Sequence, residues 1–143
     1  MRFSTKGRYA LRAVVDLACH FKERPVSIAD ICKRQKLSFD YVEKLFIKLR
    51  KAGLLKSVRG SQGGYIINKL PNEITAGDII KIVEGPISPV FCVDPEVERI
   101  DKCPRSNDCL TRPLWEKISK KINEVLSSTT LEDLAKGEKA KRR

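Results

Sequence analysis

Cys92, Cys103 and Cys109 fall in one stretch of chain with the spacing C-x10-C-x5-C, followed by Leu110-Thr111-Arg112-Pro113. Deprotonated sulfur is the soft donor that zinc and iron–sulfur clusters take. The spacing matches none of the tight C-x2-C zinc patterns. On the residues alone a cluster, a zinc ion, redox-sensing thiols and idle thiols all stay open. Cys19 and Cys32 instead sit inside helical patterns and read as small buried or half-buried thiols. Five cysteines, an odd number, without an apolar export signal at the N-terminus argue against a disulfide framework and for a cytoplasmic chain. His20 is the only histidine, placed at a helix end where a capping or surface role is usual. With that histidine far from the cysteines and no paired catalytic carboxylates, an enzyme would lack its base. The chain reads as a non-enzyme.

A second group of residues suits a polyanion. Arg59-Gly60-Ser61-Gln62-Gly63-Gly64 is basic and glycine-rich, and its glycines allow backbone to approach a phosphodiester or a narrow minor groove. Ser61 and Gln62 add neutral donors. It is not a nucleotide-binding P-loop, because it lacks the Gly-Lys-Ser/Thr ending and runs into a strand. Just upstream, Ser38, Asp40, Tyr41, Glu43 and Lys44 open a helix, with Lys48 one turn on. At the N-terminal end of a recognition helix, Glu43 can accept from a cytosine amino group and Lys44 can reach guanine or phosphate.

The elements that must position these groups follow from local pattern. Thr5–Phe21 is a helix with Leu11, Val14, Val15, Ala18 and Phe21 on one face. Ser27, with Asp30 three residues on, opens a second helix that breaks at Lys36-Leu37-Ser38. Ser38 caps a third, running to about Ala52, whose buried stripe is Val42, Leu45, Phe46 and Leu49. Gly53 ends it. Strands at Leu54–Val58 and Tyr65–Asn68 flank the glycine-rich turn. Thr75 and Asp78 cap a short helix to Glu84, which Gly85-Pro86 stops. The expected fold is mostly α with a small β wing: a winged helix-turn-helix domain over 1–85, plus a long C-terminal dimerisation helix.

Residues 86–110 carry four prolines and no periodicity, a loop long enough to be functional. Thr111 is expected to cap a helix from Arg112 to Leu126, on which Trp115, Ile118, Ile122 and Val125 step 3-4-3. That seam is too short to stand alone and suits a two-fold dimer contact. We assign 111–135 to dimerisation, with one amphipathic turn at Thr130–Leu134, and 136–143 to a frayed charged tail.

Charge agrees with a nucleic-acid partner. The formal net charge is +11, and residues 1–70 hold 16 Lys/Arg against 5 Asp/Glu, while residues 71–143 hold 13 of each. All the excess lies on the half that carries the helix-turn-helix, as double-stranded DNA requires. No run of eighteen apolar residues exists, so no membrane partner is expected.

Three segments carry a family resemblance: Ser-Thr-Lys-Gly-Arg-Tyr-Ala (4–10), Leu-Arg-Lys-Ala-Gly-Leu (49–54) and Val-Arg-Gly-Ser-Gln-Gly-Gly-Tyr (58–65). Together they resemble the Rrf-type winged-helix repressors of bacteria, over nearly the whole chain. Ile74–Ile80, Glu84–Val90 and Ser128–Leu134 are similar to the cysteine-metabolism repressor branch. That branch carries no cluster and acts with a partner enzyme of cysteine synthesis. Cys-Leu-Thr-Arg-Pro-Leu-Trp (109–115) and the cysteine trio are similar to the iron–sulfur cluster regulator branch, which binds a two-iron (2Fe-2S) cluster through three cysteines and a histidine. In this chain the first gap is longer, Arg112 stands at the histidine's place, and Arg8 stands where nitric-oxide-sensing relatives have an acid. The resemblance implies a cluster on Cys92, Cys103 and Cys109 with its fourth ligand unidentified.

Overall fold

The computed structural model describes residues 2–22, 24–98, 103–105 and 107–141. Helices α1 (Thr5–His20), α2 (Ile28–Gln35) and α3 (Phe39–Lys51) are followed by strands β1 (Leu55–Val58) and β2 (Gly64–Ile67). Then come α4 (Ala76–Glu84), α5 (Arg112–Ser128) and α6 (Leu131–Lys141), with single 3-10 turns at Pro71–Glu73 and Phe91–Val93. No described helix is long and apolar enough to cross a membrane.

The helical repeats place one apolar face per helix in a common core. Val42, Leu45, Phe46 and Leu49 of α3 are buried against Ala10, Val14 and Leu17 of α1 and Ile31 of α2. Each fully buried side chain of this size contributes roughly 1.5–3 kcal/mol. The caps follow the sequence: the Ser27 hydroxyl accepts from the Asp30 amide at 3.1 Å, and Thr75 and Asp78 cap each other reciprocally. Between α2 and α3 the chain turns at Lys36, the one described non-glycine residue with positive φ (55°). That left-handed residue ends α2 and lets α3 leave at a new angle.

The wing pairs β1 with β2 antiparallel, Leu55 opposite Ile67 and Val58 opposite Gly64. A third segment joins it: Val26 and Tyr65 exchange backbone hydrogen bonds at 3.0 and 2.8 Å. A Cβ at position 64 would stand 2.3 Å from the Val26 carbonyl oxygen, so only glycine permits this approach. The bridge fastens the wing beside the start of α2.

Two expectations change here. The segment after α5 is not a single turn and a frayed tail. Thr130 and Asp133 form a capping box, and α6 runs to Lys141 with Leu131 and Ala135 buried on α1. Backbone bonds from the Ala76 amide to Thr129 and from the Leu131 amide to Ile74, both 2.8 Å, tie this return to the start of α4. The tail's last two residues lie outside the described set. Second, Thr111 makes no capping hydrogen bond to α5; its hydroxyl meets Cys109 instead.

Asp16 is the one charged residue among the described ones that is fully buried. Its carboxylate accepts from Arg34 Nε at 3.0 Å and Nη2 at 2.6 Å, and from Gln35 Nε2 at 2.8 Å. One α1 side chain thereby holds the last turn of α2. Removing it takes the shared buried acceptor away from the partly exposed Arg34 guanidinium and the half-buried Gln35 amide. Asp16→Ala should therefore cost about 3 kcal/mol in urea unfolding. A loss below about 1 kcal/mol would show that apolar contacts alone set the α1–α2 angle.

Candidate nucleic-acid interface and cysteine loop

Helix α3 divides cleanly into two faces. Opposite its buried stripe, Asp40, Glu43, Lys44 and Lys48 are exposed, and none forms an ion pair with another described residue. Ser38 holds the N-cap position, yet its hydroxyl caps nothing and is exposed. Tyr41 differs from its neighbours. Its half-buried ring meets Tyr9 edge-on, centroids 5.7 Å apart, and the Arg12 guanidinium lies 5.5 Å from the Tyr9 ring centre. This stack joins α3 to α1.

The wing tip projects Arg59, Gly60, Ser61 and Gln62, all exposed. Gly60 has φ 116°, outside the range open to other residues, and its carbonyl accepts from the Gly63 amide at 3.0 Å. The tip is thus a tight turn with polar groups outward.

Sequence reasoning missed a third component. A cleft of about 470 Å³ lies between the start of α1 and α3, lined by Arg2, Ser4, Thr5 and Lys6 together with Tyr41 and Glu84. Lys6 and Arg8 are cations in the first turn of α1, which carries no acid of its own. A helix N-terminus disfavours positive charge, so their presence breaks a local rule. The Glu84 carboxylate from α4 supplies the missing anion, accepting from the Ser4 hydroxyl and from the Gly7 amide at 2.9 Å. A first turn rich in bases and without acids is the signal that points to this cleft.

The cysteines separate by environment. Cys32 is buried, and burial raises its thiol above the ordinary range. The Cys19 thiol lies 3.8 Å from the Ala135 carbonyl on α6. Cys92 lies in the 3-10 turn Phe91–Val93, and Cys92, Cys103 and Cys109 are each half-buried. The Cys109 sulfur is 3.2 Å from the Thr111 hydroxyl oxygen, and this hydrogen bond, with a weaker pull from Arg105, lowers its thiol. Three thiols are suitable soft donors for an iron–sulfur cluster. However, no group of three His, Cys, Asp or Glu side chains converges among the described residues. At the fourth position the Arg112 guanidinium cannot ligate, and its Nε donates to Glu116 at 2.7 Å. As arranged, the described residues of the loop do not present the four donors of a cluster.

Helix α5 has no buried residue. Trp115, Ile118 and Ile122 are half-exposed, and Val125 is 62% and Leu114 54% exposed. These side chains form an apolar stripe left partly in water along the helix.

Comparison with known proteins agrees with this geometry. Residues 3–137 match the Rrf2 family, described as an iron-dependent transcriptional regulator. The chain is 46% identical to the HTH-type transcriptional regulator CymR of Bacillus subtilis, over 94% of this chain and 90% of that one. The solved structure of that protein, called the global cysteine regulator, superposes with TM-score 0.76, covering 95% and 97% of the two chains. The HTH-type transcriptional regulator IscR of Pectobacterium atrosepticum is 42% identical over 94% of this chain and 79% of its own. The structure of T. potens IscR is 45% identical with TM-score 0.76, over 96% and 88%. These relatives are regulators, not enzymes. With an exposed recognition helix beside a basic wing, and a family match over almost its whole length, the chain belongs to the Rrf2 family of DNA-binding transcriptional regulators.

Proposed function

We propose that this protein is a cytoplasmic homodimer that represses transcription from a pseudo-palindromic operator, with the loop bearing Cys92, Cys103 and Cys109 as its sensor of iron–sulfur or redox status. The observation that carries the DNA reading is the exposed polar face of α3, Ser38 to Lys48, whose charges form no ion pair with another described residue, together with the exposed Arg59 of the wing tip that follows it in the chain. In this reading Ser38, Asp40, Glu43 and Lys44 meet base edges and Lys48 a phosphate. Arg59, Gly60, Ser61 and Gln62 follow the adjacent groove. Tyr41, held by Tyr9, presents its hydroxyl to the backbone, and Arg2 and Lys6 extend the phosphate contacts along the neighbouring cleft.

The apolar stripe of α5 supports the dimer. Two recognition helices need a fixed separation, and a two-fold contact through Trp115, Ile118, Ile122 and Val125 supplies it. The sensing role rests on placement. The loop joins α4, at the end of the DNA-reading body, to α5, so a change in its order can alter how the half-sites are spaced. We assign the chemistry to the thiols themselves and route no step through a cluster.

Binding, assembly and sensing are each open to test. In electrophoretic binding assays, Arg59→Ala should weaken binding to all sequences, about tenfold at physiological salt, and lower the salt slope by about one. Glu43→Ala should instead change which base is preferred; an unchanged preference would remove Glu43 from base readout. In sedimentation at low micromolar protein, Ile118→Glu should dissociate the dimer, because an unpaired charge cannot be held in an apolar seam. A fully dimeric variant would place the interface elsewhere. For the sensor, Cys92→Ser, Cys103→Ser and Cys109→Ser should each shift operator affinity in one direction, and Cys19→Ser and Cys32→Ser should not. Visible charge-transfer absorption in anaerobically purified protein would identify a cluster rather than a thiol switch. Operator binding unchanged in all three loop variants would move the signal to a partner enzyme of cysteine synthesis.

A further inference from the structure

A cavity of about 450 Å³ lies where α4, the loop after it and α5 meet. That volume is in the range of small-molecule sites. We infer that it binds a small zwitterion, an α-amino acid with a short apolar side chain. Its floor is apolar: Pro86, buried Ile87, Val93 and Pro95 line it, and the two prolines stiffen the backbone that frames it.

The rim carries both signs of charge, contributed by all three walls. Lys81 comes from α4, Glu96 from the loop and Lys120 from α5. None of these three forms an ion pair with another described residue. They face one space without closing it on each other, which leaves two ammonium groups for a carboxylate and a carboxylate for an ammonium. Glu116 also lines the cavity but is occupied by Arg112.

Asn123 completes the recognition set. Its amide nitrogen donates to the Ile87 carbonyl at 3.1 Å and to the Ser119 carbonyl at 2.9 Å. Both amide hydrogens are therefore used, and the orientation of the group is fixed. The side-chain oxygen remains as an acceptor in the same cavity as Glu96, for the ligand's ammonium. A ligand with only one charge would leave half of the rim unmatched.

The cavity lies on a different face of α5 from the stripe Trp115, Ile118, Ile122 and Val125. Helical geometry puts Glu116 and Lys120 more than a quarter-turn away from every residue of that stripe, while Ser119 and Asn123 lie between the two faces. A dimer contact through the stripe therefore leaves the Lys120 side of the cavity open. A bound amino acid would tie the loop to α4 and α5 together, adding an input to the regulator that is separate from the thiols.

Calorimetric titration of the full chain tests this with L-alanine and L-valine, against propionate and alaninamide as single-charge controls. We expect saturable heat from the amino acids, and heat at least tenfold weaker from the controls. Glu96→Gln and Lys120→Gln should each lower affinity at least tenfold, the usual loss of one charge-assisted hydrogen bond, with the circular dichroism spectrum unchanged. Absence of saturable heat at tens of millimolar, equal heat from the controls, or wild-type affinity in both variants would overturn the assignment. Operator binding by the ligand-free protein is measured independently, so failure here leaves the DNA-reading assignment standing.

Discussion

A carboxylate with no exposure to water lies at the centre of a chain whose formal charge is +11. Asp16 is held there because two donors of α2, Arg34 and Gln35, close around it. Burying a charge is tolerable only when its hydrogen bonds are made inside, so the pair fixes distance and angle more than it adds net stability. The α1–α2 angle fixes where α2 ends. Lys36 then turns the chain in the left-handed region and aims α3 outward. The direction of α3 thus follows from an interaction made between α1 and α2.

The same logic of compensation runs through the interface. Bases crowd the start of α1 against the helix dipole, and Glu84 of α4 neutralises the strain from another element. Among the described residues, the charged groups on the polar face of α3 and at the wing tip form no ion pair, so their attraction for a polyanion is not consumed within the fold. Salt within the molecule is instead concentrated in short pairs on α5 and α6, such as Lys121 with Glu124 and Lys136 with Glu132. Exposed pairs of this kind add little stability. The second half of the chain is neutral because its 13 bases equal its 13 acids, which leaves the field of the first half unopposed.

Much of this was legible in the sequence because it is local. Val42, Leu45, Phe46 and Leu49 reveal the buried side of α3 by spacing alone, and Ser27 and Thr75 mark helix starts through bonds three residues long. What the sequence hid depends on contacts between distant segments. Asp16 looks like one more polar residue of α1 until α2 is laid beside it. The docking of α6 depends on backbone bonds from Ala76 and Leu131 across more than fifty residues, which no periodicity announces. Thr111 resembles a cap, but the neighbouring Cys109 thiol takes its hydroxyl. In the loop, three cysteines without a repeating pattern give no instruction about whether they meet, and among the described residues they do not gather into a donor set.

The central claim is that two copies of α3 and its wing read DNA across a two-fold axis set by α5. Hydroxyl-radical footprinting of the protein on a bound operator tests it most directly, since each protected sugar reports a covered stretch of backbone. The account requires two symmetric patches of sugar protection about one or two helical turns apart, each on the backbone bordering the groove that α3 enters and flanked by minor-groove protection from the Arg59 wing. A single unsymmetrical patch, or protection without the flanking minor-groove component, would contradict it.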